Sequence, residues 1–227
     1  MWFDSNSLYT AFAAHEISHA FGLDHSFDNS QNKCGGVPGE YCDQWDIMSA
    51  MNTFQFTDQN WLVGGKSSKG GPGMSTPNLM RMGWIPSDNQ TRYEAEGDNE
   101  QIFTISALSH PQVGKPLVVY LEVGGVGPFD GQYLVEYRQD DGWDQGFVSS
   151  PNAPPVARFQ GGTVLVHQFR SAGSPVATLI ESGDSGARQP GNTLVLTNPM
   201  GPIYHVTVKS IDRTNGAATI SIGPGRG

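Results

Sequence analysis

The segment that decides how this chain folds and works runs from residue 15 to residue 25 and reads HEISHAFGLDH. His15 and His19 are four positions apart, so on a helix they lie one above the other on the same face. Two imidazoles in that arrangement can hold one Zn²⁺, each at about 2.0–2.1 Å. Glu16 lies one step around the helix, beside such an ion. A carboxylate there can accept a proton from a water molecule on the metal.

The third histidine of the segment, His25, cannot face the same ion if the helix continues. The chain has to turn after the helix, and Gly22 is the residue that can adopt the positive φ needed there. Three neutral imidazoles and one water then complete an open tetrahedral site. The alternative is a chance match on an ordinary surface helix. The apolar spacing of residues 8–20 and the position of Gly22 argue against it, and we expect a helix over residues 1–21.

The extended motif resembles that of the metzincin metalloproteases. Those proteases have a downstream turn with a methionine beneath the metal, and the segment Asp46-Ile47-Met48-Ser49 is similar to it. The resemblance implies that Met48 is this floor residue rather than ordinary core filling. Some metzincins also place a tyrosine two residues after that methionine, as a metal ligand or an oxyanion donor. This chain has Ala50 at that position, so the tyrosine is absent there.

The metzincin resemblance implies a zinc-dependent endopeptidase. In it, Zn²⁺ is bound by His15, His19 and His25, and Glu16 is the general base. The partner is then a protein or peptide substrate.

Later segments resemble the immune inhibitor A-type and gametolysin-type secreted proteases. They are NLMRMGWI at 78–85, YLVEYR at 133–138, GWD at 142–144 and GTVLVH at 162–167. This similarity implies an extracellular protein.

The same resemblance indicates an N-terminally truncated catalytic domain. In known metzincins a sheet precedes the active-site helix, and its edge strand pairs with the substrate backbone. Here the active-site helix is expected almost immediately after Met1, and no signal peptide is recognisable. We therefore expect the helix to expose an apolar face, and the chain to have low stability and impaired activity.

The composition of the chain limits the classes of partner that it is expected to bind. The chain has 227 residues and a net charge of −9, which disfavours binding to nucleic acid or to an anionic membrane surface. No apolar run is long enough to span a membrane. The 29 glycines and 15 prolines indicate many turns, as in β-rich proteins. Nothing in the sequence indicates the oligomeric state.

The pattern changes at residue 86, and we predict an α+β protein with two domains. Residues 1–85 form the C-terminal part of a metzincin-like catalytic domain, with residues 52–74 as a loop and a short helix at 75–83. Residues 86–227 form an antiparallel β-sandwich. Its strands are expected at Ile102–Ile105, Leu117–Val123, Tyr133–Arg138, Thr163–Phe169, Ala177–Ile180, Leu194–Leu196, Tyr204–Val208 and Ala218–Ile222.

The two cysteines, Cys34 and Cys42, lie in a polar loop at residues 26–45. Their spacing suits a disulfide in a secreted protein, and two free thiols are the alternative. Four nearby acidic residues offer oxygens for Ca²⁺, although no regular ligand loop is present: Asp24, Asp28, Asp43 and Asp46. For Asp46 we prefer a role in capping the turn that carries Met48.

Glu136, Arg138 and Asp144 form either a second site or, as we prefer, an ion-pair arrangement at the rim of the sandwich. The remaining histidines are expected to be structural: His110, His167 and His205. Two other functions stay open. One is a non-catalytic protein- or glycan-binding sandwich with a relic zinc site, and the other is a zinc hydrolase of another substrate class.

Overall fold

The structure is a computed structural model of the chain. It describes residues 9–49, 53–63, 66–94, 99–112, 114–123, 131–149, 161–170, 175–181, 186–197 and 203–225. Within these ranges the helices are α1 (Thr10–Ala20), α2 (Thr76–Arg81) and α3 (Gly146–Ser149). The strands are β1 (Phe27–Asp28), β2 (Phe56–Val63), β3 (Lys66–Gly70), β4 (Gln90–Arg92), β5 (Gln101–Ser106), β6 (Val118–Val123), β7 (Gly131–Arg138), β8 (Thr163–Phe169), β9 (Ala177–Leu179), β10 (Thr193–Leu196), β11 (Tyr204–Asp212) and β12 (Ala217–Pro224).

The C-terminal part of the chain is a two-layer arrangement of sheets. One sheet has the strand order β1-β9-β8-β7-β6-β4 and the other has the order β10-β11-β12-β5. Alternate residues of both sheets point into one shared core, which includes Val135, Val166, Val206 and Ile220. This is the packing of a β-sandwich. Each of the eight strands expected from alternating apolar runs overlaps a strand of these two sheets.

The sandwich is not antiparallel throughout, and that part of the prediction is wrong. β4 pairs parallel to β6, and β1 pairs parallel to β9. Both strands reach the edges of the six-stranded sheet from earlier parts of the chain. They have three and two residues, too few to show an alternating pattern.

The expectation of a loop over residues 52–74 is also wrong in part, because β2 and β3 pair as an antiparallel hairpin. The segment is rich in Gly, Ser, Gln and Asn and shows no alternation of apolar residues. Backbone pairing between the two strands defines this hairpin.

The N-terminal part of the chain covers the outer face of the six-stranded sheet. Trp45, Phe54 and Phe147 pack against Leu165 of β8 and Leu179 of β9 in a second core. Every residue of β8 is consequently buried. This contact fixes the loop around Trp45 to a rigid sheet, and the candidate site is built partly from that loop. The division into domains at residues 85 and 86 stays a prediction.

The two longer helices lie within the segments expected to be helical. α1 ends at Ala20, close to the expected end, but it begins after Tyr9, an N-cap with an extended backbone, so the helix expected over residues 1–21 is too long at its start. Residues 1–8 lie outside the described part of the chain. α2 lies inside the short helix expected at 75–83, with Ser75 as its N-cap and a proline in its first turn. Apolar side chains of the α1 region are exposed as expected: Ile17 by 52% and Phe21 by 60%. No helix among the described residues has the length and apolar character needed to cross a membrane.

Candidate metal centre

The structure brings together the three histidines of the opening motif. His15 and His19 come from successive turns of α1, and Gly22 takes φ +87° just after the helix, which returns the chain towards its own last turn. His25 follows this bend. One ring nitrogen from each histidine lies within 4.8 Å of the other two. A helix end and one glycine turn are therefore sufficient to collect three imidazoles in one place.

The outward-facing nitrogen of each ring is held by an oxygen acceptor. The Nδ1 atoms donate to Ile47 O from His15 at 2.8 Å, to Leu23 O from His19 at 2.7 Å and to Glu40 Oε1 from His25 at 2.9 Å. Carbonyl and ionised carboxylate oxygens only accept, so the hydrogen of each ring resides on Nδ1. The lone pair is then on Nε2 of all three rings. Partners of this kind fix the tautomer and the orientation of histidines that bind metal.

The distance between the two helical histidines fits a shared cation. His15 Nε2 and His19 Nε2 are 3.1 Å apart. Two ligands at about 2.0–2.1 Å from a tetrahedral zinc ion are separated by roughly 3.3 Å. With both hydrogens on Nδ1, the facing Nε2 atoms carry two lone pairs and no proton to share. A divalent cation between them would convert that repulsion into attraction.

The charge state of His15 also suits a metal. Burial lowers the pKa of His15, and the neighbouring His19 and His25 lower it further. The contacts with Ile47 and Glu16 oppose these effects only in part. The imidazole is therefore neutral around pH 7, which is the form that binds a metal ion.

Glu16 lies beside the rings rather than among the grouped nitrogens. Its side chain is partly exposed, and its negative charge acts on both His15 and Tyr41, where it favours the protonated forms. The carboxylate is thus partly open to water and acts on the imidazole of His15. Its role as the base stays a prediction.

Met48 is fully buried beneath α1, in a small core with Ala11, Leu23 and Ile47. The preceding Asp46 organises the turn, because its Oδ1 accepts the Met48 backbone N–H at 3.0 Å. The capping role expected for Asp46 is thus confirmed. Its other oxygen accepts hydrogen bonds from three further side chains: Ser26 at 2.7 Å, Asn78 at 2.8 Å and Ser75.

The disulfide between Cys34 and Cys42 is present, so the alternative of free thiols is wrong. It closes the loop that carries Glu40 and Tyr41. Glu40 Oε2 accepts the backbone N–H of Gly36 at 2.8 Å, while Oε1 accepts the hydrogen of His25 Nδ1. The hydrogen bond with His25 is the main cause of the lowered pKa of Glu40.

Sequence reasoning missed Tyr41. Its hydroxyl is 2.5 Å from Nε2 of His25, and its ring centroid is 4.1 Å from that of His25. Burial raises the pKa of Tyr41, and the charges of Glu40 and Glu16 raise it further. The one sequence feature that could have indicated Tyr41 is its position next to Cys42. A disulfide near the motif restricts the positions of neighbouring residues, but the spacing of the cysteines does not show which way the side chain of Tyr41 points.

The acidic residues considered for Ca²⁺ are largely engaged by protein donors. Asp43 accepts from the Trp45 backbone N–H at 2.9 Å and contacts His167 Nε2 at 3.1 Å, and Asp28 caps its own turn through Ser30. Among the described residues, the group that could hold a metal is the three-histidine cluster.

Glu136, Arg138 and Asp144 do form an ion-pair arrangement, but it is buried rather than at an exposed rim. Arg138 binds Asp144 through Nε at 2.6 Å and Nη2 at 2.5 Å, and Glu136 through Nη1 at 3.2 Å. All three side chains are at most 5% exposed. The sequence pattern could not show this burial, because residues far away in the chain cover the strand.

Comparison of the chain with known protein families, curated proteins and solved structures finds no match. The function of the chain is therefore inferred from the geometry of the site and from the motif.

Proposed function

We propose that this chain is a zinc-dependent endopeptidase of the metzincin type. The observation that carries the proposal is the common state of the three histidines. Each Nδ1 donates to an oxygen acceptor, and one ring nitrogen of each histidine lies within 4.8 Å of those of the other two. Three imidazoles with Glu16 alongside form the donor set of a catalytic zinc site, in which a coordination position stays open.

The chain's own residues account for the steps of hydrolysis. A bound Zn²⁺ would supply Lewis acidity, which lowers the pKa of water towards about 7 and polarises a carbonyl group. Glu16 accepts a proton from the water that attacks the scissile carbonyl carbon. It then gives that proton to the amine nitrogen as the C–N bond breaks. Ile47, Leu23 and Glu40 keep the three rings in the required tautomer during the reaction.

The disulfide supports an extracellular location, because such bonds persist in oxidising compartments. The acidic net charge of −9 is compatible with release into the medium and with a protein or peptide substrate.

The test combines metal content with peptide cleavage. Glu16→Gln should retain one zinc per chain by elemental analysis and lose about 10²–10⁴-fold in turnover of a fluorogenic peptide mixture. His19→Ala should lose both zinc and turnover. Glu94→Gln changes an exposed carboxylate away from the site and serves as the control.

Full turnover in Glu16→Gln would contradict the role of the base. Zinc retained by His19→Ala would contradict the ligand set. A wild-type chain that binds zinc and cleaves no peptide would overturn the peptidase proposal and leave a metal-binding protein.

A further inference from the structure

Tyr41 is the one aromatic hydroxyl that the described residues show in contact with a candidate ligand atom. Its oxygen is 2.5 Å from Nε2 of His25. Because Nδ1 of His25 donates to Glu40, Nε2 carries a lone pair and the phenol is the donor of this hydrogen bond. The phenol thus lies on the side of the His25 ring that carries the lone pair available to a metal.

The loop around Tyr41 is shaped to place the ring there. Tyr41 has φ +62°, the only positive φ of a residue other than glycine among those described. Backbone strain of this kind at a site is a reason to look for a function. Gly35 makes room for the ring, since a β-carbon at that position would lie 2.5 Å from Cδ2 of Tyr41. The disulfide from Cys34 to Cys42 closes the loop on both sides.

We propose that the phenol oxygen of Tyr41 is a fourth protein ligand of the metal centre. Two ligand atoms of a tetrahedral zinc ion are about 3.3 Å apart when each lies about 2.0–2.1 Å from the metal. The oxygen of Tyr41 is 2.5 Å from Nε2 of His25. A cation that binds this Nε2 takes the place of the phenolic hydrogen, which is released to solvent, and a shift of about 0.8 Å brings the oxygen to the separation of two ligands.

The surrounding charges favour a cation at this place. Glu40 and Glu16 both act on the phenol of Tyr41, and a negative potential around the oxygen stabilises a divalent ion. Catalytic zinc can expand to five ligands. Three histidines and Tyr41 therefore still leave a position for water or substrate. The inference rests on the proposed metal site and deepens it.

Copper(II) is a suitable probe, because a phenolate bound to it gives a charge-transfer band in the visible range. We expect the copper-loaded chain to show this band and Tyr41→Phe to lose it while still binding one copper per chain. The affinity of Tyr41→Phe for zinc, measured by competition with a chelator, should fall by about tenfold or more. Tyr9→Phe, which changes a tyrosine packed at the start of α1, is the matched control.

A copper-loaded wild-type chain without the band, together with equal zinc affinity in Tyr41→Phe, would overturn the ligand role of Tyr41 and leave the three-histidine site intact. Failure of the wild-type chain to bind either metal would overturn both this inference and the proposed function. A band lost in Tyr9→Phe as well would show that it does not come from Tyr41.

Discussion

The metal-centre region, residues 9–48, and the β-sandwich of β5–β12 are held in different ways. The sandwich has a continuous apolar core in which strands from both sheets interlock. In the metal-centre region, the described residues form a small apolar core beneath α1, and Trp45 packs into the second core against β8 and β9. The three histidine rings themselves are held by directed hydrogen bonds to Ile47, Leu23 and Glu40. Apolar burial tolerates changes of side chain, whereas a ligand set depends on the position of each atom.

A chain of buried charged groups joins the two regions. Asp43, from the loop next to the metal centre, contacts His167 on β8 at 3.1 Å. His167 faces Glu136 on β7, and Glu136 binds both Arg138 and the first backbone N–H of α2 at Thr76. Arg138 in turn binds Asp144, which accepts the Gly73 backbone N–H at 2.9 Å. The loops of the metal centre are thus attached to the sandwich by polar contacts that water does not reach.

The largest effect is expected from breaking this connection. Arg138→Met removes the guanidinium and leaves Glu136 and Asp144 buried without their cation. Removing one partner of a buried ion pair costs roughly 3–5 kcal/mol of unfolding free energy. Denaturant titration measures it. Arg92→Met is the control, because Arg92 pairs with Glu122 on an exposed surface, where a pair contributes less than about 1 kcal/mol. Equal losses in the two variants would show that burial of the Arg138 network contributes nothing.

A smaller effect, confined to the metal-centre region, is expected for Glu40→Gln. The amide keeps the shape of the carboxylate but loses the charge-assisted hydrogen bonds to His25 and Gly36. Loss of a partner that orients a ligand lowers metal affinity by about 10–100-fold. Competition with a chelator measures the affinity for zinc, and the denaturation midpoint of the metal-free chain should stay close to that of the wild type.

Glu100→Gln is the counterpart of this variant in the sandwich, where Glu100 pairs with Lys209 on the four-stranded sheet. It should leave zinc affinity unchanged. Wild-type zinc affinity in Glu40→Gln would show that the hydrogen bond to His25 does not orient the ring.

The same difference between the two regions explains which features could be predicted from the sequence. Strands of the sandwich were predictable because alternation of apolar residues is a local property, as in Tyr204–Val208. The grouping of His15, His19 and His25 was predictable because a helical repeat and one glycine turn determine it. Tyr41 and Asp43 were not, since their positions depend on contacts with His25 and His167. The edge strands β1 and β4 were not predicted for a similar reason, because each is defined by pairing with a strand that is distant in sequence.

The smallest expected effect is the pH dependence of the unfolding free energy that arises from His167. Burial lowers the pKa of His167, but Glu136, Asp43 and Asp46 outweigh it, so its pKa lies above the ordinary value of 6.5. The folded chain then holds a proton that the unfolded chain releases above about pH 6.5. This contribution to stability is complete below that pH and declines as the pH rises through the raised pKa, by at most about 1.4 kcal/mol per pH unit.

Denaturant titrations from pH 6 to pH 9 test this slope, with His167→Gln and His205→Gln compared with the wild type. His205→Gln changes a histidine of the four-stranded sheet and should follow the wild-type curve. His167→Gln should be less stable at pH 6 and should lose less stability as the pH rises, because its side chain carries no proton to release. A wild-type curve that rises over this range, or a slope unchanged in His167→Gln, would mean that Asp43 meets a neutral imidazole. The attachment of the metal-centre loop to the sandwich would then be a neutral hydrogen bond rather than an ion pair.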